Sequence, residues 1–272
     1  RLGEARPGPS KPPAAPPLSP LLWHDVWSRS LGKYPRVIAV GDVHGCIDEL
    51  QELLRLADYQ PGDQVVFLGD LVAKGPDSVG VVQLAREIGA KSVRGNHDHE
   101  VVKWREMTIR QPGSAGGEAA GGDGKNSLGN FTAKLASISP EHGRIGAALS
   151  AADHEFLRQS PWFIRSSDLG FIFVHAGLMP GVPLNSQNPR LMMNMRSILD
   201  DGLVTAKNVR DRTWASLWSG PEVVVFGHDA LRGLQVHDYA VGIDTGCVYG
   251  GRLTAMILPE NRFISVPARK AN

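Results

Sequence analysis

Five short apolar runs that each break at a glycine beside an aspartate, asparagine or histidine constrain this chain more than any other feature. Residues 36–40 run into Gly41-Asp42-Val43-His44-Gly45, and residues 65–68 run into Gly69-Asp70. Residues 91–93 lead to Gly95-Asn96-His97-Asp98, residues 171–174 to His175-Ala176-Gly177, and residues 223–226 to Gly227-His228-Asp229. Between the first two, Ile47, Leu50, Leu53, Leu54 and Leu56 recur at helical spacing, and a second helix is expected over residues 78–88. Strand, polar break and helix in repetition predict βαβ units with a parallel sheet.

Side chains at the carboxyl ends of such strands converge on one crevice. If the strands share a sheet layer, Asp42, His44, Asp70, Asn96, His175 and His228 face the same space. Two aspartates, three histidines and an amide are too many for one tetrahedral site, but enough for two cations sharing a bridging carboxylate. The flanking glycines let the chain turn without a Cβ clash. Each break alone has an ordinary explanation: Asp-x-His as a helix cap, Gly-Asn as a turn, a lone histidine as a core residue. Repetition at five strand ends in this order is what sets those explanations aside.

Composition narrows the function classes. With 29 basic and 28 acidic residues among 272, the net charge of +1 argues against affinity resting on a global positive field, as in nonspecific nucleic-acid binding. A hydrophobic share of 42% against 21% charged excludes wholesale disorder. No run approaches the ~18 apolar residues of a membrane span. Two cysteines cannot make a disulfide framework, and Cys46 and Cys247 read as small packing residues rather than nucleophiles.

Seven prolines in residues 1–20 predict a flexible lead over residues 1–22, ahead of one domain over 23–272. Starting at Arg1 rather than methionine is the beginning expected of a processed or trimmed form, so any upstream targeting signal lies outside this sequence. Residues 113–124, glycine-rich and without periodicity, predict a mobile loop within a small helical and loop insertion at about 100–165. Helices are expected over 100–109, 132–137 and 151–159, and short strands over 240–243, 253–258 and 263–266.

The five motifs in this order resemble those of the metallophosphoesterases in the phosphoprotein-phosphatase superfamily, and the likeness runs from about residue 36 to 258. Within it the chain looks most like the ApaH-like phosphatases and the symmetrical diadenosine tetraphosphatases. Ala73 stands where Ser/Thr protein phosphatases have aspartate, Asp98 where they have glutamate, and residues 242–251 resemble the C-terminal motif of the tetraphosphatases. Lys74 for the usual arginine, Phe226-Gly227-His228-Asp229 and Arg232-Gly233-Leu234-Gln235 are similar to the eukaryotic branch.

The resemblance implies an α/β fold, a calcineurin-like β-sandwich flanked by helices. It implies that Asp42 and His44 bind a first metal, that Asp70 bridges two metals at the catalytic centre, and that Asn96, His175 and His228 complete the second site. It further implies that His97 protonates the leaving group and that Lys74 binds phosphate. Arg196 and Arg232 are further candidates for substrate phosphates. Paired cations lower the pKa of the water they hold toward ~7 and align the phosphoryl oxygens. Mixed imidazole and carboxylate ligands favour manganese, with iron, zinc or cobalt as alternatives, over magnesium.

The expected activity is therefore dimetal hydrolysis of phosphoanhydrides: dinucleoside polyphosphates, messenger RNA caps or inorganic polyphosphate. A small-molecule anhydride or a capped RNA end is the expected partner, with no long nucleic acid and no membrane. A Ser/Thr protein phosphatase is disfavoured by Ala73 and Asp98, and a dead binding module by the presence of all six ligands. Trp214 and Trp218, four residues apart, suit core packing better than a nucleobase platform. Arg94 reads as structural support, and His99, His142, His154 and His237 as surface residues. The compartment is not encoded here; the cytoplasm is the default expectation.

Overall fold

Short apolar runs buried on both faces satisfy their backbone groups only through ladder partners, so they become sheet strands. A computed structural model of the chain describes residues 28–109 and 138–271. The expected lead over 1–22, the glycine-rich loop at 113–124 and the helix over 132–137 lie outside the described residues. In chain order the elements are β1 (Ser28–Ser30), β2 (Val37–Val40), α1 (Ile47–Leu56), β3 (Gln64–Phe67), α2 (Ser78–Glu87), β4 (Lys91–Ser92) and α3 (Asn96–Ile109). Then follow α4 (Pro140–Ala148), α5 (Ala151–Arg158), β5 (Phe163–Ser166), β6 (Phe171–Val174), α6 (Pro189–Asn194), β7 (Ser197–Ile198) and β8 (Val204–Thr205). The chain continues through β9 (Val223–Phe226), β10 (Gln235–Val236), β11 (Ala240–Gly242), β12 (Arg252–Leu258) and β13 (Arg262–Pro267).

Two mixed sheets form, ordered β13-β12-β2-β3-β4 and β1-β5-β6-β9-β11-β10. β2, β3 and β4 run parallel, as do β6 and β9, while β12 pairs antiparallel with β2. The period of two along each strand then decides the layers. Val37, Ala39, Val66 and Leu68 share an inter-sheet core with Ile164, Phe171, Phe173 and Val225. The alternate residues Ile38, Val40, Val65 and Phe67 pack with Leu50 and Leu53 of α1 and Val81 and Val82 of α2. Truncating Leu53, fully buried, to alanine costs ~2–5 kcal/mol. On the other outer face Ile172, Val174, Val224 and Phe226 pack with Met192, Met195 and Trp214. The fold is the helix-flanked β-sandwich that the motifs implied.

One sequence expectation changes. The five motif strands do not share one sheet: β2, β3 and β4 belong to the first and β6 and β9 to the second. A fully buried apolar run carries no mark of which sheet it joins. The described parts of the stretch expected as an insertion hold most of α3, which starts at Asn96, and the first strand residues of β5, a partner of β6.

Within that stretch α4 was not anticipated. Ser139 caps it by accepting the His142 backbone N–H, with Pro140 in the first turn. Its docking surface on α3 is glycine: a Cβ on Gly146 would stand 2.4 Å from Cε3 of Trp104. No described helix is long and apolar enough to cross a membrane.

Candidate metal centre

The loops after β2 and β3 are laced together by their backbones. The N–H of His44 donates to the carbonyl of Asp70, and that of Gly45 to Leu71, both at 2.8 Å. This holds His44 and Asp70 at φ 49° and 50°, with Ala73 and Lys74 at 72° and 69° and His228 at 67°. Side-chain-bearing residues seldom adopt that left-handed region, and such outliers cluster where the surrounding structure fixes a site. Asp98 ties in the third loop, accepting from the N–H groups of Leu71 at 3.0 Å and Gly95 at 3.2 Å. Gly95 and Gly227 serve close approach rather than turning. A Cβ on Gly95 would lie 2.2 Å from Oδ1 of Asp70, and one on Gly227 2.1 Å from Oδ1 of Asp42.

Around these loops the side chains converge. Oδ2 of Asp70 lies 3.5 Å from Nε2 of His44 and 3.5 Å from Nε2 of His175. Oδ2 of Asp42 is 4.0 Å from the same His44 nitrogen, and its Oδ1 accepts the His228 N–H at 3.0 Å. One ligand atom each from Asp70, His175 and His228 lies within 4.8 Å of the other two. Nδ1 of His44 donates to the Val72 carbonyl at 3.0 Å and Nδ1 of His175 to that of Leu68 at 2.7 Å. A ring nitrogen committed to a carbonyl fixes the tautomer, so in both residues Nε2 presents its lone pair to the site. Asp42, His44, Asp70, Asn96 and His228 line a cleft of about 730 Å³, with His175 fully buried behind them.

Burial dominates the electrostatics. It lifts Asp70 to about 7 and Asp244 to about 6, and with the added repulsion of Asp244 and Asp70 it holds Asp42 well above the usual carboxylate range. It lowers His44 to about 3 and His175 to about 4, and holds His228 well below its ordinary value. Crowded carboxylates beside neutral imidazoles are a cation-seeking arrangement.

Three contacts test the fit further. Nε2 of His228 is buried without a protein partner. Nε2 of His175 and Oδ1 of Asn96 point acceptors at each other across 3.0 Å. Nζ of Lys74 reaches to 3.0 Å from Nε2 of His44. Lone pairs aimed at a common space, partly answered by an ammonium, suit divalent cations.

The structure brings the six expected ligands together, with His97 and Lys74 beside them on the cleft. The N–H of His97 donates to Oδ1 of Asp70 at 2.9 Å, and its ring meets that of His44 edge-on at 5.0 Å. Arg196 also lines the cleft, but its guanidinium donates to the carbonyls of His228 (2.9 Å) and Ala206 (2.8 Å). Arg232, expected at the substrate, is turned inward to the Asp229 carboxylate, Oγ of Ser197 and the carbonyls of Arg196 and Val209. It borders a separate depression, because Asp229 offers a nearer anion than the cleft does.

Two of the four histidines expected at the surface, His142 and His154, are buried, and His99 and His237 are half-buried. Packing of α4 and α5 against α3 covers the first two. Arg94 is structural, donating to the Arg158 carbonyl at 2.6 Å. Trp214 is core, its Nε1–H on the Ala176 carbonyl. Cys46 and Cys247 are buried free thiols.

Asp244 was missed as a cleft residue, although the same signal marks it: it follows β11 as Asp70 follows β3. Tyr249 was missed too; it lies on the rim, its ring centroid 5.2 Å from Nζ of Lys74.

Comparison with known proteins agrees with this geometry. A bis(5'-nucleosyl)-tetraphosphatase PrpE of the asymmetrical type, from Oceanobacillus iheyensis, is 30% identical over 252 residues, covering 86% of this chain and 93% of that protein. A symmetrical bis(5'-nucleosyl)-tetraphosphatase from Edwardsiella ictaluri is 28% identical, covering 86% and 97%. A crystal structure provisionally described as a diadenosine tetraphosphatase superposes with a TM-score of 0.74 at 35% identity, covering 91% of this chain and all of that one. The family profile described as calcineurin-like phosphoesterase matches residues 35–264. Sandwich, motif loops and profile all lead to one assignment: the chain belongs to the calcineurin-like phosphoesterase family.

Proposed function

We propose that this chain hydrolyses phosphoanhydride bonds of dinucleoside polyphosphates, with water as the nucleophile and a pair of divalent cations, manganese foremost. The observation that carries the reading is Oδ2 of Asp70, equidistant at 3.5 Å from two histidines whose free nitrogens face it. Asp42 and His44 would hold one cation with Asp70, and Asn96, His175 and His228 the other. When bound, the pair supplies a water of lowered pKa and offsets the charge that builds on the phosphoryl oxygens.

The remaining steps belong to the side chains. Lys74 on the cleft gives a point charge for a phosphate rather than a bidentate fork. Arg196 acts through the His228 carbonyl that it holds. His97 presents a ring nitrogen for the departing phosphate, a leaving group of low pKa that needs only modest general-acid help. Exposed Tyr249 and Leu231 on the rim provide faces for a nucleobase. The relatives that match most of this chain are tetraphosphatases of both cleavage types, which supports the substrate class.

The test is a product-resolved panel on the manganese-loaded chain: diadenosine tetraphosphate, capped RNA, inorganic polyphosphate and a phosphopeptide. Turnover of the dinucleotide is expected, with two ADP marking symmetrical cleavage and AMP plus ATP asymmetrical cleavage. Turnover of the phosphopeptide alone would overturn the reading.

A further inference from the structure

His97 needs its ring held if one nitrogen is to meet a leaving group, and Ala73, in the neighbouring loop after β3, brings only a methyl group. The partner comes from α4. Nδ1 of His97 lies 2.9 Å from Nε2 of His142, with the ring planes 23° from parallel and the centroids 5.1 Å apart. A centroid separation so much longer than the N···N distance sets the two nitrogens end to end, as a hydrogen bond along both lone-pair directions needs. On its far side, Nδ1 of His142 meets Oγ of Ser139 at 2.5 Å. That oxygen also accepts the His142 backbone N–H at 3.4 Å, as the cap of α4. The chain Ser139–His142–His97 is thus anchored to a helix end.

α4 cannot drift from this position. Glu141 accepts the backbone N–H of Lys74 at 2.5 Å, joining the first turn to the loop after β3. Gly143 and Gly146 let the helix settle against Trp104 with no room for a Cβ at Gly146. His142 itself is 8% exposed.

We propose that His142 is a positioning residue for the hydrolysis: its hydrogen bond to Nδ1 of His97 leaves Nε2 of His97 as the nitrogen that faces the substrate. In the tautomer that serves the leaving group, His142 donates its Nε2–H to Nδ1 of His97 and accepts the Ser139 hydroxyl at its own Nδ1, so neutral His97 keeps its proton on Nε2. A neutral imidazole orients His97 without the stabilisation of its cation that a carboxylate would add. This inference rests on the reading that His97 serves the leaving group, and its test separates the two.

The experiment is a double-mutant cycle with diadenosine tetraphosphate, with metal content and melting temperature measured for each variant. His97→Ala is expected to lower kcat by about 100-fold or more, the scale of general-acid contributions. His142→Ala is expected to lower kcat by about 10-fold at unchanged KM and metal content, and His142→Gln, which keeps a polar group there, to recover part of it. In the His97→Ala background His142→Ala should change kcat by less than about twofold, because two residues acting through one bond are not additive.

A second readout needs no turnover: in the metal-free, 15N-histidine-labelled chain, a coupling across the His97–His142 hydrogen bond is expected by NMR, and it disappears in His142→Gln. Should His142→Ala not fold, His142→Gln and Ser139→Ala carry the same cycle. Full activity of His97→Ala would defeat the reading beneath. Reduced His97→Ala activity with additive losses, or with no loss from His142 variants, would defeat this proposal alone.

Discussion

Burial shifts carboxylates and imidazoles in opposite directions, and the two therefore pull stability in opposite directions as pH changes. Asp70 and Asp98, lifted to about 7, favour the fold in acid, and that contribution is lost as pH rises through 7. His154, away from the cleft, shows the other sign in a group free of metal ligands. Burial lowers it to about 4, so as pH falls the unfolded chain takes up the proton before the fold does. Its contribution is complete above the unfolded value near 6.5 and is lost as pH falls toward 4, at up to about 1.4 kcal/mol per pH unit. We expect His154→Gln to lose less stability between pH 7 and pH 5 than the parent chain, by about 1–2 kcal/mol in urea melts. Because the carboxylates are common to both proteins, their opposing effect cancels in the comparison. An unchanged difference would mean that His154 is already solvated.

At the scale of elements, what matters is how little of the α4 docking surface is apolar. Gly146→Ala places a Cβ where the Trp104 ring already lies, so α4 must shift, with overpacking of about 1–3 kcal/mol. His142 moves with it, and kcat is expected to fall as in His142→Ala while metal stoichiometry, read by elemental analysis, stays that of the parent. The same feature explains why this helix was illegible. A periodicity search registers apolar stripes, whereas residues 140–148 offer Ile145 and alanines as their apolar content and meet Trp104 through glycines. The cap at Ser139 and Pro140 was the available signal. By contrast, β2, β3, β6 and β9 were legible because sheets covered on both faces demand unbroken apolar runs, and their polar ends stand out against them. Asp244 escaped notice although a strand over 240–243 was expected, because no histidine or asparagine stands beside it in Gly242-Ile243-Asp244-Thr245-Gly246.

For the whole molecule, the proposed ligand set spans the sandwich: Asp42, His44, Asp70 and Asn96 follow strands of one sheet, His175 and His228 strands of the other. Which sheet each strand joins was unreadable, since pairing is decided by partners far along the chain. A cation shared across that seam stabilises the folded state by mass action, about 2.7 kcal/mol at a hundredfold excess over its Kd. Calorimetry should show a higher melting temperature with manganese, reversal by EDTA, and no manganese response in Asp70→Asn.

The position of β12 carries a consequence in time. It fills the place beside β2 with residues 252–258, more than two hundred positions after His44. At about 5–20 residues per second, a ribosome needs roughly 10–40 s to travel from His44 to Leu258. Until β12 emerges the nascent chain has Asp42 and His44, and then Asp70, with no β12 alongside, and it lacks His228 until late. The proposed site is thus complete only after His228 has been made, and a chain halted before it lacks one side of the proposed ligand set.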